Sequence, residues 1–374
     1  MISCDVFFKY LKENNLNFFT GVPDSLLKEI CAYVTDSTPA NSHVIGANEG
    51  SCVAMATGYH LATGGLPLVY LQNSGMGNTI NPLLSLTAPE VYSIPMVLLI
   101  GWRGEPGVHD EPQHIKQGNV SPTLLEAMDI PYHVLTQSPG ELSAQIKHIC
   151  DDAKNRSRPI AILVKKDTFQ KYKAKKQSEE NVTLSREAAI KMVASKIDSE
   201  KSIILSTTGK ISRELYEYRD SITSSQVDFL NVGSMGHVSQ IALGVALNSP
   251  QKNIYCFDGD GAAIMHMGGL AIAGSLNLEN FTHFVFNNAA HDSVGGQPTV
   301  GNKIDWVNLA KSLGYRNAFS FQDKNSLNET LNNLSQIIGP TLIEIKVSKG
   351  ARSDLGRPKT SPAENKKQFM AQFS

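Results

Sequence analysis

The chain has almost no net charge, no CxxC pair, no repeat and no apolar run fit to cross a membrane. Its 34 Lys and Arg face 35 Asp and Glu, for a formal net charge of −1 over 374 residues. No general field therefore draws nucleic acid or an anionic membrane surface, and an anionic substrate needs local cations. Cys4, Cys31, Cys52, Cys150 and Cys256 are scattered, which implies neither a disulfide framework nor a zinc site. The longest apolar runs, such as PMVLLI before Gly101, fall far short of the roughly 20 residues a bilayer requires. Met1 to Lys12 mixes Asp5, Lys9 and Lys12 with apolar residues, the pattern of a surface helix rather than a signal peptide. A cytosolic protein is expected, with neither nucleic acid nor membrane as partner.

What the chain does have is a series of short apolar runs, each ending in a glycine-containing turn and followed by a helical pattern. LPLVYLQNSGMGN (66–78), IPMVLLIGWRGEPG (94–107), KSIILSTTGK (201–210) and NIYCFDGDG (253–261) are of this kind. Buried strands separated by helices predict α/β architecture with parallel sheets, and ligands there sit beyond the carboxyl ends of the strands. The length predicts two such domains. The first spans 1–167 and closes on AILVKK; residues 168–184 are charged and aperiodic, as in a linker. The second spans 185–350, from REAAIKMVASKI to TLIEIKV, and a polar, basic tail occupies 351–374.

The stretch YCFDGDGAAIMHMGG (255–269) leads from a strand through an acidic, glycine-rich turn into a helix. Asp260, between Gly259 and Gly261, suits either a helix cap or a ligand to a small hard cation whose neighbouring N–H groups face a phosphate. The glycine spacing and downstream acid of a dinucleotide loop are missing. One helix and one strand later, FVF brings Asn287 and Asn288 to the same sheet edge, where paired asparagines also suit a plain turn. GDG followed after a helix and a strand by NN resembles the thiamine-diphosphate enzymes.

That resemblance implies that Asp260, Asn288 and the carbonyl of Ala290 hold Mg²⁺ against the cofactor's diphosphate, with the backbone of Gly261 and Ala262 facing the phosphates. It makes 1–167 a pyrimidine-binding domain and 185–350 a diphosphate-binding domain, both doubly wound parallel sheets. VIGANEGSCVAMATGYHLATG (44–64) is similar to the family's segment carrying the acid that hydrogen-bonds the aminopyrimidine ring, here Glu49. Taken alone, Glu49 also suits the first turn of a helix. In NVGSMG, Gly233 and Met235 match the residues that bond the aminopyrimidine and wedge between the cofactor rings, although a methionine also packs well in a core. Gly209 and Ser212 match diphosphate contacts. Because Glu49 and Asp260 fall in different domains, the family implies a homodimer or larger homo-oligomer with active sites at subunit interfaces.

There is no room for the central third domain of the pyruvate-processing members. That, with GWRGEPGVHDEPQHIKQG (101–118), NNAAHDSVGGQPT (287–299) and GARSDLGRPKTSPAENKKQFM (350–370), resembles the compact branch that decarboxylates phosphonopyruvate. The near alternative is the sulfopyruvate branch; a carboligase and a non-catalytic scaffold are more distant ones. The implied substrate is a small 2-keto acid with a second anionic group, used in phosphonate biosynthesis. Its cations would come from Arg103, Lys116, Arg352 and Arg357, and its proton donors from His109, His114 and His291. The tail arginines equally suit a solvated surface or a dimer contact. His291 equally suits a structural role. Asp258 has no ligand role in the family.

Overall fold

The computed structural model describes residues 1–175, 182–222 and 227–373. They divide into two units, Met1–Gln177 and Ser178–Ser374, each built on one six-stranded parallel sheet. This is the doubly wound α/β architecture that the apolar runs predict.

In the first unit the strands are β1 (Leu16–Gly21), β2 (His43–Ile45), β3 (Leu66–Gln72), β4 (Met96–Gly101), β5 (Tyr132–Val134) and β6 (Pro159–Val164), in the spatial order β2-β1-β3-β4-β6-β5. Every residue of β4 and β6 is buried, because helices cover both faces of the sheet. The helix Cys4–Glu13 places Cys4, Phe7 and Leu11 in the core and leaves Asp5, Lys9 and Lys12 exposed, as its pattern predicts. All five cysteines are free and buried. Truncating a core aromatic such as Phe7 to alanine would cost about 3–5 kcal/mol.

The segment read as a linker begins on the first unit. Phe169 bridges Ile2 and packs edge-on against Phe7 at 5.1 Å, and the Tyr172 hydroxyl donates to Asp36 at 3.0 Å. Residues 176–181 of that segment lie outside the described residues. Leu184, at its end, is buried in the core of the second unit.

The second unit carries β7 (Ser202–Ser206), β8 (Phe229–Leu230), β9 (Asn253–Gly259), β10 (Phe281–Asn287), β11 (Asn317–Phe321) and β12 (Thr341–Lys346), in the order β11-β12-β10-β9-β7-β8. In both sheets the chain steps one way from its first strand to its second and then crosses back. The strand order therefore reverses between β1 and β3, and between β7 and β9. Clefts for ligands form beyond the carboxyl ends of strands at such reversals. The tail continues into a helix, Pro362–Met370, started by a Ser361/Glu364 capping box. Asn365 ties that helix to β8 by accepting from Leu230 N–H at 3.1 Å and donating to the Asp228 carbonyl at 2.9 Å.

Candidate active site

In the second unit, β9 and β10 pair with Gly259 opposite Phe286, so Asp260 and Asn287–Asn288 leave the sheet at one edge. Asp260 opens the helix Asp260–Met265 and is buried. Its carboxylate accepts from the Thr299 hydroxyl and from backbone N–H groups including that of Asn288. Burial outweighs these hydrogen bonds and pushes its carboxyl up to about 6. A carboxylate removed from water this way gains most from a cation. Gly301 closes over it: a Cβ there would lie 2.5 Å from both Asp260 Oδ2 and Asn287 Oδ1.

The two asparagines divide the work. Asn287 donates to Glu344 at 2.6 Å and accepts from Ala289 N–H at 3.0 Å, stabilising a turn in which Ala289 has φ +51°. Asn288 donates to Asp292 at 2.7 Å and accepts from Ala290 N–H at 3.0 Å. Asp260, Asn288 and the Ala290 carbonyl thus share one loop cluster. An acid and two amide-type oxygens are the hard donors that Mg²⁺ takes, so the residues present fit that ion. Asp258 is fully buried behind them: Oδ1 accepts from Gly259 N–H at 3.0 Å, and Oδ2 lies 3.3 Å from His283 Nε2 on β10. It braces the turn that presents Asp260.

At the reversal between β7 and β9, Gly209 has φ +99°, and a Cβ there would meet Ser293 Oγ at 2.6 Å, so this turn adjoins the loop that follows Asn288. Ser212 is engaged within the turn, donating to the Thr207 carbonyl at 2.6 Å and lying 2.7 Å from Ser206 Oγ. The Thr207 hydroxyl and Asn231 Nδ2 are buried without a protein partner. Orphaned polar groups at a strand-end cleft are what a polar cofactor would satisfy. Gly233 and half-buried Met235 lie in the turn that follows β8; its Gly236 packs within 3.1 Å of the Ala262 carbonyl, measured from the Cβ position. His291 lies against Gly261, 3.1 Å from that residue's Cβ position, and burial lowers its imidazole to about 4. It is a neutral ring at neutral pH.

In the first unit, Glu49 opens the helix Glu49–Thr63 behind its cap Asn48, whose side chain accepts from Ser51 N–H at 2.9 Å. The Glu49 side chain is buried, accepts from Asn78 Nδ2 at 2.7 Å, and is held above the usual carboxylate range by desolvation. These are the properties of a proton-transferring acid. Arg103 is clamped: it binds both oxygens of Asp110, Nε at 2.7 Å, and donates to Ser25 at 2.7 Å. His114 Nδ1 is buried without a partner, and burial with the nearby Arg103 charge lowers its imidazole to about 4. His109 and Lys116 are exposed. Asp110 serves Arg103, and among the described residues the His109–Asp110–Glu111–His114 set does not form a three-ligand metal cluster.

Residues 3–124 match the thiamine pyrophosphate enzyme N-terminal TPP binding domain, and residues 207–345 match the C-terminal TPP binding domain. A phosphonopyruvate decarboxylase of Streptomyces viridochromogenes is 33% identical over 366 residues, spanning 94% of this chain and 90% of its own. This chain belongs to the phosphonopyruvate decarboxylase family of thiamine pyrophosphate enzymes. A phosphonopyruvate decarboxylase of Streptomyces hygroscopicus is likewise 33% identical, over 93% of this chain and 88% of its own. A sulfopyruvate decarboxylase of Methanosarcina acetivorans is 27% identical over 96% and 94%.

Against the family's pattern, the tail arginines sit in a particular setting. Arg352 lies between Glu187 at 3.3 Å, Asp354 at 3.0 Å and Glu217. Arg213 donates to the carbonyls of Leu355 and Gly356, so the tail is strapped to the helix Lys210–Ile222. Exposed Arg357 lies along the same helix, beside Tyr216 and Asp220. Sequence reasoning did not single out Asn78, Thr299, Asp24, Arg186 or Asp292. Asn78, Asp292 and Thr299 stand in strand-end segments quoted above, and that position is their signal in the sequence.

Proposed function

We propose that this chain is a thiamine-diphosphate- and Mg²⁺-dependent carboxy-lyase that converts 3-phosphonopyruvate to phosphonoacetaldehyde and CO₂. The observation that carries the reading is the relationship to phosphonopyruvate decarboxylases over nearly the whole chain. It is supported by a buried Glu49, whose carboxyl desolvation holds above the usual range, and by a hard-oxygen cluster around Asp260. When bound, the cofactor supplies the nucleophilic carbon and the electron sink for loss of CO₂.

The protein's part is orientation and proton handling. Asp260, Asn288 and the Ala290 carbonyl hold the metal, while Thr207, Gly209, Gly261 and Ala262 line the diphosphate. Gly233 and Met235 seat the aminopyrimidine ring, and Glu49 exchanges a proton with that ring. Exposed Lys116 and Arg357 supply the charge that the phosphonate and carboxylate require in a chain without net charge, while Arg103, paired with both oxygens of Asp110, shapes the loop before Lys116. Arg352, already among carboxylates, holds the tail instead. One of His109, His114 and His291 would relay a proton from solvent to the carbon that has lost CO₂. The working form is a cytoplasmic homodimer or larger homo-oligomer in which one subunit supplies Glu49 and another supplies Asp260.

The sulfopyruvate reading is favoured by the full-length Methanosarcina relative, because cations that hold a phosphonate also hold a sulfonate. Release of CO₂ from phosphonopyruvate, sulfopyruvate and pyruvate, each with thiamine diphosphate and Mg²⁺, separates the two. Fastest turnover of phosphonopyruvate is expected. Faster turnover of sulfopyruvate reassigns the substrate, and no release from any of the three overturns the enzyme reading.

A further inference from the structure

Asp292 lies outside the cofactor and metal residues assigned above, yet it touches one of them. Its Oδ2 accepts from Asn288 Nδ2 at 2.7 Å, from Arg186 Nη1 at 2.8 Å and from Gly350 N–H at 3.0 Å. Arg186 is itself buried and held by both oxygens of Glu214, at 2.8 and 2.9 Å. Removing one partner from charges held this far from water is strongly destabilising, which keeps Asp292, Arg186 and Glu214 together.

That arrangement decides which end of the Asn288 carboxamide faces where. A carboxamide has a donor end and an acceptor end of nearly equal size, and it can present either one. An ionised carboxylate only accepts. Asp292 therefore takes Nδ2 and leaves Oδ1 on the other side, where Ala290 N–H meets it at 3.0 Å. Reversed, the carboxamide would offer N–H groups to a cation and bind nothing.

We propose that Asp292 is a positioning residue of the metal site: clamped by Arg186 and Gly350 N–H, it locks the Asn288 carboxamide with its oxygen available to Mg²⁺ beside Asp260. The inference rests on the thiamine-diphosphate and Mg²⁺ reading above. Because Gly350 immediately precedes the tail, the same carboxylate also anchors the tail's root to the Asn288–Asp292 loop.

The test is Mg²⁺ binding to the full-length protein at saturating thiamine diphosphate, read by calorimetry and by Mn²⁺ paramagnetic resonance rather than by turnover. Asp292→Asn can donate as well as accept, so Mg²⁺ affinity is expected to fall about 10–100-fold, the usual effect of losing a residue that orients a metal ligand. The exchange Asn288→Asp with Asp292→Asn restores the hydrogen bond with its direction reversed and leaves only oxygens for the metal. Measured against both single variants, it is expected to bind Mg²⁺ at least about tenfold more tightly than the sum of the Asn288→Asp and Asp292→Asn effects allows; a purely structural role for Asp292 would leave the two changes additive. Asp292→Ser, which also donates, replaces the asparagine variant if that one does not fold. Unchanged affinity in Asp292→Asn or Asp292→Ser, or additive effects in the exchange, overturns the proposal while leaving the enzyme reading intact. Absence of metal binding in the wild type overturns both.

Discussion

The carboxylate of Glu49 rests on the α-carbon of Gly75: a Cβ added to that glycine would lie 2.2 Å from Oε1. Real side chains do not approach so closely, so Gly75→Ala must displace the acid. Glu49 is also held by Asn78 at 2.7 Å and is buried, so it has little freedom to yield. Glu49→Gln keeps the shape and removes the proton transfer. Its turnover is expected to fall about 10²–10⁴-fold, with thiamine diphosphate affinity by calorimetry within a few-fold of wild type. Gly75→Ala should lose about 10²-fold through misplacement alone. Full activity in Glu49→Gln would remove this residue from the mechanism.

Asp24 gives the first unit a pH-dependent stability. It is fully buried, its Oδ1 has no partner, and desolvation pushes its carboxyl up to about 6 despite Leu26 N–H at 2.9 Å and the nearby Arg103 charge. A folded state that holds the proton more tightly than the unfolded chain is stabilised below the ordinary carboxyl pKa, near 4. That stabilisation is lost as pH rises through about 6. Asp24→Asn does not titrate. Its urea midpoint should therefore gain on wild type between about pH 4 and pH 7, by the equivalent of about 3 kcal/mol. A constant difference across that window would show that burial does not control this acid.

How much was legible beforehand follows from what each residue depends on. Strands and their carboxyl-end turns could be read because apolar runs and glycines are local signals. Asp260, Asn288 and Ala290 meet in one loop cluster because β9 and β10, consecutive in the chain, are also adjacent in the sheet. The Asp292–Arg186 contact spans 106 positions, and no local pattern announces it. Charge alone likewise suggested Arg352 as a substrate cation, whereas its surroundings are the carboxylates of Glu187, Glu217 and Asp354. Asp258, left without a role by the family pattern, acquires one only through His283 on the neighbouring strand. Orphaned groups such as Thr207 Oγ1 are invisible until burial is known.

Arg352 makes its role directly testable. If its carboxylate partners define its role, Arg352→Met should change the KM for phosphonopyruvate by less than about threefold, because exposed ion pairs contribute little to distant binding. Limited proteolysis within 351–361 should become faster as the tail loosens from the helix Lys210–Ile222. A rise in KM of about tenfold or more, near 1.4 kcal/mol of lost binding, would return Arg352 to the substrate.

Gly301 tests the metal cluster from the opposite side. Its carbonyl accepts from the buried Trp306 indole at 3.0 Å and its N–H donates to Thr299 at 3.1 Å, so its backbone is fixed at both ends. An added Cβ would stand 2.5 Å from Asp260 Oδ2 and from Asn287 Oδ1 and 3.0 Å from Asp260 Cβ. With the backbone held, the side chains must move, and Asp260 is the one proposed to hold Mg²⁺. Gly301→Ala should lower thermal stability by an overpacking cost of about 1–3 kcal/mol. It should also raise the Mg²⁺ concentration for half-saturation by about tenfold or more. Trp306 fluorescence, from an indole bonded to Gly301, follows the Mg²⁺ titration, and a thermal melt of the same sample gives the stability. Wild-type metal affinity with a lowered melting temperature would show that Gly301 serves packing alone and that Asp260 has room to recover its place.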